Sequence, residues 1–128
     1  MSGTRETPAD PADGGETLDP IILRQLTELE ATGPGLVARL LHNFIDQAPK
    51  RIAVIASAVA AGDATAVREQ AHALRGSSLN IGAMRLANIC KRLESQAKLG
   101  NLQGAEESID RLTDEFVRVR ETKEFKSL

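Results

Sequence analysis

From Leu18 onward, apolar residues recur every three or four positions, and no strand-like alternation competes with that rhythm. The period places each apolar set on one face of a helix. Ile22, Leu23, Leu26 and Leu29 make the first set; Asp19 stands before it as a cap and Pro20 takes the first helical position. This short helix is predicted to stop near Gly33, where Gly33-Pro34-Gly35 punctuates the chain. A long second helix is predicted to about Ala61, with Val37, Leu41, Phe44, Ala48, Ile52, Ile55 and Val59 on one face. Pro49 lies inside it, so a bend near residues 45–49 is expected.

Gly62-Asp63 ends that helix and caps a third, which continues to about Asn80. A fourth spans about Gly82 to Leu99 on a stripe of Leu86, Cys90, Leu93 and Ala97, and Gly100 fits the left-handed position beyond its end. Asn101 is expected to cap a fifth, whose stripe is Ala105, Ile109, Leu112, Phe116 and Val119. Short connections make successive long helices antiparallel neighbours. The predicted fold class is therefore all-α: an antiparallel up-down four-helix bundle with a short additional N-terminal helix over one end. Residues 1–17, rich in Pro, Gly, Asp, Glu and Thr, read as a disordered acidic tail. Residues 18–122 hold the bundle, and the charged, irregular residues 123–128 are expected to fray.

Composition narrows the function more than the fold. At 128 residues the chain makes one domain. A net charge of −2 argues against nucleic acid as a partner, and three Phe with no Trp or Tyr leave no platform for stacking bases. No apolar run is long enough to span a membrane and no signal-peptide pattern is present, so a soluble, cytoplasmic protein is expected. The single cysteine, Cys90, cannot form an internal disulfide and is expected to be buried and inert. With it, the two histidines do not make a zinc site.

The chemistry centres on His72. At about 100° per residue, Val67, Ala71, Leu74, Ser78 and Ile81 form the buried stripe of the third helix. His72 points almost opposite, near Arg68, Glu69, Arg75, Gly76 and Leu79. A glycine inside a helix costs ~1 kcal/mol relative to alanine, so Gly76 asks for a reason. Access is one: with no side chain beside it, the imidazole is open to another protein, and Arg75 offers charge to an anion. A neutral imidazole keeps one lone pair able to act as a nucleophile. The alternative is a solvated histidine among basic neighbours.

The string Ala71-His72-Ala73-Leu74-Arg75-Gly76-Ser77-Ser78, with Gly82-Ala83 shortly after, resembles the signature of histidine-containing phosphotransfer (HPt) domains, His-x-Leu-Lys/Arg-Gly-Ser-Ser. The resemblance runs from about Leu18 to Phe116. It takes in Leu41, Phe44 and the Ala60-Ala61-Gly62-Asp63 corner upstream, and Leu86, Cys90, Leu93-Glu94 and Gly100 downstream. The family most often has Lys where Arg75 stands; arginine keeps the charge and adds a planar fork suited to phosphate.

This resemblance implies a phosphorelay carrier. His72, through Nε2, would accept a phosphoryl group from a receiver-domain aspartyl phosphate and pass it to another receiver. The implied partners are receiver domains of hybrid sensor kinases and response regulators, met by a monomer. No cofactor of its own is expected, with Mg2+ supplied by the receiver. Arg75 would steady the phosphoryl oxygens. At the position of Glu94 some members hydrogen-bond the other imidazole nitrogen and so fix the tautomer; a surface salt bridge to Lys91 or Lys98 is the alternative. Lys98 either adds to the positive field or is simply solvated. Ser77 and Ser78 read as small residues for close helix approach, with phosphate contact as the alternative. Gly82 reads as a helix-start or packing glycine and His42 as a solvated histidine. Ile21, Ile22, Leu40 and Leu79 are either edge residues for docking or core.

The chain carries no Walker-type loop or nucleotide motif, so it is expected to be a carrier without autonomous kinase activity. The rival reading is an HPt-fold adaptor or kinase-regulating interaction module that has lost phosphotransfer. A phosphatase or hydrolase using His72 ranks below both, because no acid–base partner set accompanies it.

Overall fold

Asp19 accepts a hydrogen bond from the Ile21 N–H at 2.8 Å, and with Pro20 at the first helical position it starts α1 (Pro20–Thr32). The structure, a computed structural model, describes residues 16–128, so almost all of the predicted acidic tail lies outside the described residues. Five further helices follow: α2 (Leu36–Ala60), α3 (Ala64–Asn80), α4 (Met84–Lys98), α5 (Ala105–Arg120) and α6 (Lys123–Lys126). Among the described residues there is no strand. Helix α2 continues through the exposed Pro49 without interruption. Asp63 caps α3 by accepting from the Ala66 N–H at 3.1 Å.

Helices α2, α3, α4 and α5 close a ring in which α3 packs on α2 and α4, and α5 packs on α4 and α2. That is the four-helix bundle, with α1 laid against α2. Its centre is the set of stripes that the periodicity marked: Ile55, Val67, Leu74, Leu86, Leu93, Leu112 and Val119 are fully buried. The α1 end is fastened to the α3–α4 turn. Gly82, at φ +79°, turns its carbonyl to the Asp19 N–H at 2.8 Å. A Cβ on Gly82 would stand 2.9 Å from Ile22 Cβ, so the close approach requires glycine. Gly82 is a packing glycine.

Two local expectations are corrected. Asn101 does not cap the fifth helix: its Oδ1 accepts from the Gln103 N–H at 3.0 Å, a local turn, and α5 begins at Ala105 behind Gly104 at φ +77°. Residues 123–128 do not fray as a unit. Residues 123–126 form α6, and Phe125 is 4% exposed, with its ring 6.0 Å from that of Phe44. One aromatic in a charged segment shows no period, yet its burial is enough to dock a single helical turn.

The pattern also missed a buried charge. Glu115 is 2% exposed on α5, beside the stripe residues Leu112, Phe116 and Val119. Its Oε1 is 3.4 Å from Arg85 Nε on α4 and 3.4 Å from Arg118 Nη1. Two guanidinium groups compensate its desolvation.

Candidate functional site: a histidine bridged to arginine by a carboxylate

Val67, Ala71, Leu74 and Ser78 turn one face of α3 into the core, and that orientation pushes His72 outward on the opposite face. The His72 side chain is 66% exposed. Beside it runs α4, where the fully buried Leu93 fixes the helix and leaves the next residue, Glu94, at the edge of the α3–α4 seam. The Glu94 carboxylate divides its two oxygens. Oε2 lies 2.9 Å from His72 Nδ1, and Oε1 accepts from Arg75 Nε at 3.0 Å. Arg75 Nη2 is 3.4 Å from the same His72 nitrogen.

These contacts settle which ring nitrogen carries the proton in the neutral imidazole. Burial pushes the Glu94 pKa up, but hydrogen bonds from His72 and Arg75, with the Arg75 charge, outweigh it and hold the group below its ordinary value. An ionised carboxylate only accepts, and a guanidinium only donates. The Nδ1 proton therefore belongs on His72 and is donated to Glu94 Oε2. The lone pair is left on Nε2, at the ring edge away from α4. Such a ring, on a side chain 66% exposed, has the lone pair that a nucleophile needs.

The surroundings of that ring are open. Gly76 lies one turn further along α3, outside the set of glycines with positive φ, and a Cβ built there meets nothing within 4 Å. The fold itself does not ask for glycine at this position. Ser77 is exposed and donates to the Ala73 carbonyl at 3.2 Å, while Ser78 is fully buried and donates to Leu74 at 2.8 Å. Ser78 thus takes the close-packing position, and the Ser77 hydroxyl is satisfied by its own helix. Lys98 and Lys91 are exposed on α4, a turn to either side of Glu94. Ile21 and Leu79 are exposed, while Leu40 is partly buried against the core. His42 is exposed on α2 with Nδ1 2.9 Å from the Ala38 carbonyl, a local contact.

Cys90, one turn before Glu94, is fully buried. Burial, with the Glu94 charge and against the Arg75 charge, pushes its thiol up to about 12, so it stays protonated and unreactive. No cluster of three or more His, Cys, Asp or Glu side chains among the described residues is placed to hold a metal ion. Among those residues no helix is long and apolar enough to cross a membrane.

Sequence reasoning brought His72, Arg75, Gly76 and Glu94 to the same neighbourhood but left the Glu94 partner open between His72 and the α4 lysines. It missed the Arg75–Glu94 ion pair. The signal was present only in part: α3 and α4 each showed their own face, but their relative register did not.

A family model described as Hpt domain matches residues 39–122. Among solved structures, histidine-containing phosphotransfer protein B (HptB) from Pseudomonas aeruginosa PAO1 is 36% identical, with a TM-score of 0.76 over 84% of this chain and 90% of that one. The maize histidine-containing phosphotransfer protein ZmHP2 is 26% identical, with a TM-score of 0.74 over 87% of each chain. No curated protein sequence matches significantly.

Proposed function

This chain belongs to the Hpt domain family, a family of phosphorelay carriers, and we propose that it carries the phosphoryl group on His72 Nε2. The observation that carries the assignment is the 2.9 Å contact between His72 Nδ1 and the ionised Glu94. In the neutral imidazole it favours the tautomer whose lone pair lies on Nε2, the other ring nitrogen.

In this reading, Nε2 attacks the phosphorus of an aspartyl phosphate on a receiver domain. A new N–P bond forms, the P–O bond to aspartate breaks, and the aspartate leaves as a carboxylate. The ring, still carrying its Nδ1 proton, gains positive charge, which Glu94 opposes. Arg75 keeps Nε on Glu94, and its Nη groups, one of them 3.4 Å from the ring, serve the incoming phosphoryl oxygens. Gly76 leaves room for the receiver surface. Lys98 adds to the positive field, while the exposed Ser77 keeps its hydroxyl on the Ala73 carbonyl of its own helix rather than on phosphate. Transfer onward is the same reaction in reverse on a second receiver.

The partners in this reading are the receiver domains of hybrid sensor kinases and response regulators, which supply Mg2+ while the chain supplies no cofactor. The chain works as a monomeric cytoplasmic carrier without autonomous kinase activity. The test is transfer from a phosphorylated receiver to the intact protein and to His72→Gln. An acid-labile, base-stable label that disappears in the variant is the expected result. A label that persists in His72→Gln would overturn the assignment, and no label from any receiver would leave an adaptor.

A further inference from the structure

The tautomer at His72 needs only a hydrogen-bond acceptor at Nδ1, and a neutral glutamine oxygen would serve. The structure places a full negative charge there, itself fastened at 3.0 Å to Arg75 Nε. The excess of charge over what tautomer selection requires asks for a second role, and the chemistry of the N–P bond provides one.

When phospho-His72 gives up its phosphoryl group, the N–P bond breaks and its electron pair returns to Nε2. If Nδ1 still holds its proton, the leaving group is neutral imidazole. If that proton has been lost to solvent, the leaving group is an imidazolate anion, and the bond resists transfer. The reactive form is therefore the Nδ1-protonated, cationic ring. We infer that the charge of Glu94, beyond its hydrogen bond, keeps the Nδ1 proton on phospho-His72 and so sets the upper pH limit of onward transfer. This inference rests on the carrier role proposed for His72.

The charged groups around the ring are few. Within four residues of His72 on α3 they are Arg68, Glu69 and Arg75; on α4 they are Glu94 itself and, within four residues of it, Lys91, Arg92 and Lys98. On α2, the other helix packed against α3, Arg51 donates to Gln70 at 3.0 Å and Lys50 pairs with Asp46 at 3.4 Å. Glu94 and Arg75 are the two that reach Nδ1. Arg75 opposes the ring cation, but its Nη2 stands at 3.4 Å while the Glu94 oxygen stands at 2.9 Å in line to take the proton. The phosphoryl oxygens on Nε2 add negative charge that offsets Arg75 further. Glu94 acts through the ring rather than on phosphorus, so it is a positioning residue with an electrostatic task.

Glu94→Gln tests it, because the amide keeps the shape and an acceptor and removes only the charge. Both forms are prepared in a His42→Asn background, so that the exposed second histidine takes no label. They are phosphorylated with phosphoramidate, which needs no receiver. A phosphorus NMR titration then reads the pH at which the ring loses its Nδ1 proton. Glu94→Gln should lower that midpoint by about one pH unit, the small end of the range for a neighbouring opposite charge at a partly exposed site. The high-pH fall in transfer to a receiver should move down by the same amount. Coincident midpoints would overturn the inference and leave Glu94 as a tautomer anchor alone. A separated midpoint with no transfer to any receiver by the His42→Asn protein would instead refute the carrier role.

Discussion

Replacing Gly76 with alanine should make the protein more stable and a worse carrier. Gly76 sits within α3, and a Cβ added there meets nothing within 4 Å. Its φ is not among the positive values that a side chain resists. Alanine therefore gains the helix-propensity difference of about 0.8–1 kcal/mol without a steric offset, part of it through a less flexible unfolded chain. For a domain of this size, that gain raises Tm by about 3–5 °C. The same methyl group would stand one turn from His72, on the face where a receiver and its phosphoryl group must approach. Intruding one methyl into a close interface costs about 1–3 kcal/mol, or roughly 5- to 150-fold in transfer rate. Urea and thermal unfolding measure the first effect, and single-turnover transfer from a phosphorylated receiver measures the second. An unchanged transfer rate in a stabilised variant would refute access as the reason for this glycine. A fall in stability would refute the account of its backbone.

The other predictions concern the fold that holds the site. Gly82→Ala should destabilise by about 1–3 kcal/mol, because the added Cβ would meet Ile22 Cβ at 2.9 Å and Asp19 N at 3.2 Å; equal unfolding midpoints would refute the packing role. Hydrogen exchange in that variant should quicken first in α1, whose N-terminus hangs on the Gly82 carbonyl. Phe125→Ala should cost about 3–5 kcal/mol, since its ring is 4% exposed against Phe44; a change near zero in denaturant unfolding would mean that α6 does not dock. Cys90 should react with a thiol reagent only as fast as the protein opens. Its thiol is raised from an ordinary 9.0 to about 12, chiefly by burial. The sign follows: below 9.0 both states hold the proton, and above it the unfolded chain releases one that the folded chain keeps. Stability should decline as pH rises from there toward 12, more steeply than in Cys90→Ala, and matching slopes would refute the buried thiol.

Much of this protein is written in short-range terms. Asp19 and Asp63 cap the helices they precede, because a cap needs only a side-chain oxygen two or three residues before the N–H it accepts. The stripes of α2 to α5 became the core because a helix face is set by spacing along one segment. His72 faces outward for the same reason: Ala71 and Leu74 face in. Even Cys90 was legible as buried from its place on a stripe.

What required the tertiary structure is whatever depends on two segments at once. Glu94 meets His72 across a separation of 22 residues, and Arg75 meets Glu94 across 19. Those contacts depend on how far α4 slides along α3, and the slide is set by the packing of Leu74, Leu86, Leu93 and their neighbours together. Glu115 shows the same limit, since its place beside a stripe has meaning only once Arg85 of α4 is opposite. Phe125 lacks any periodic context and acquires a role only because Phe44 of α2 leaves it a surface. Local spacing determines which way a side chain points; only the packing of one helix on another decides what it meets.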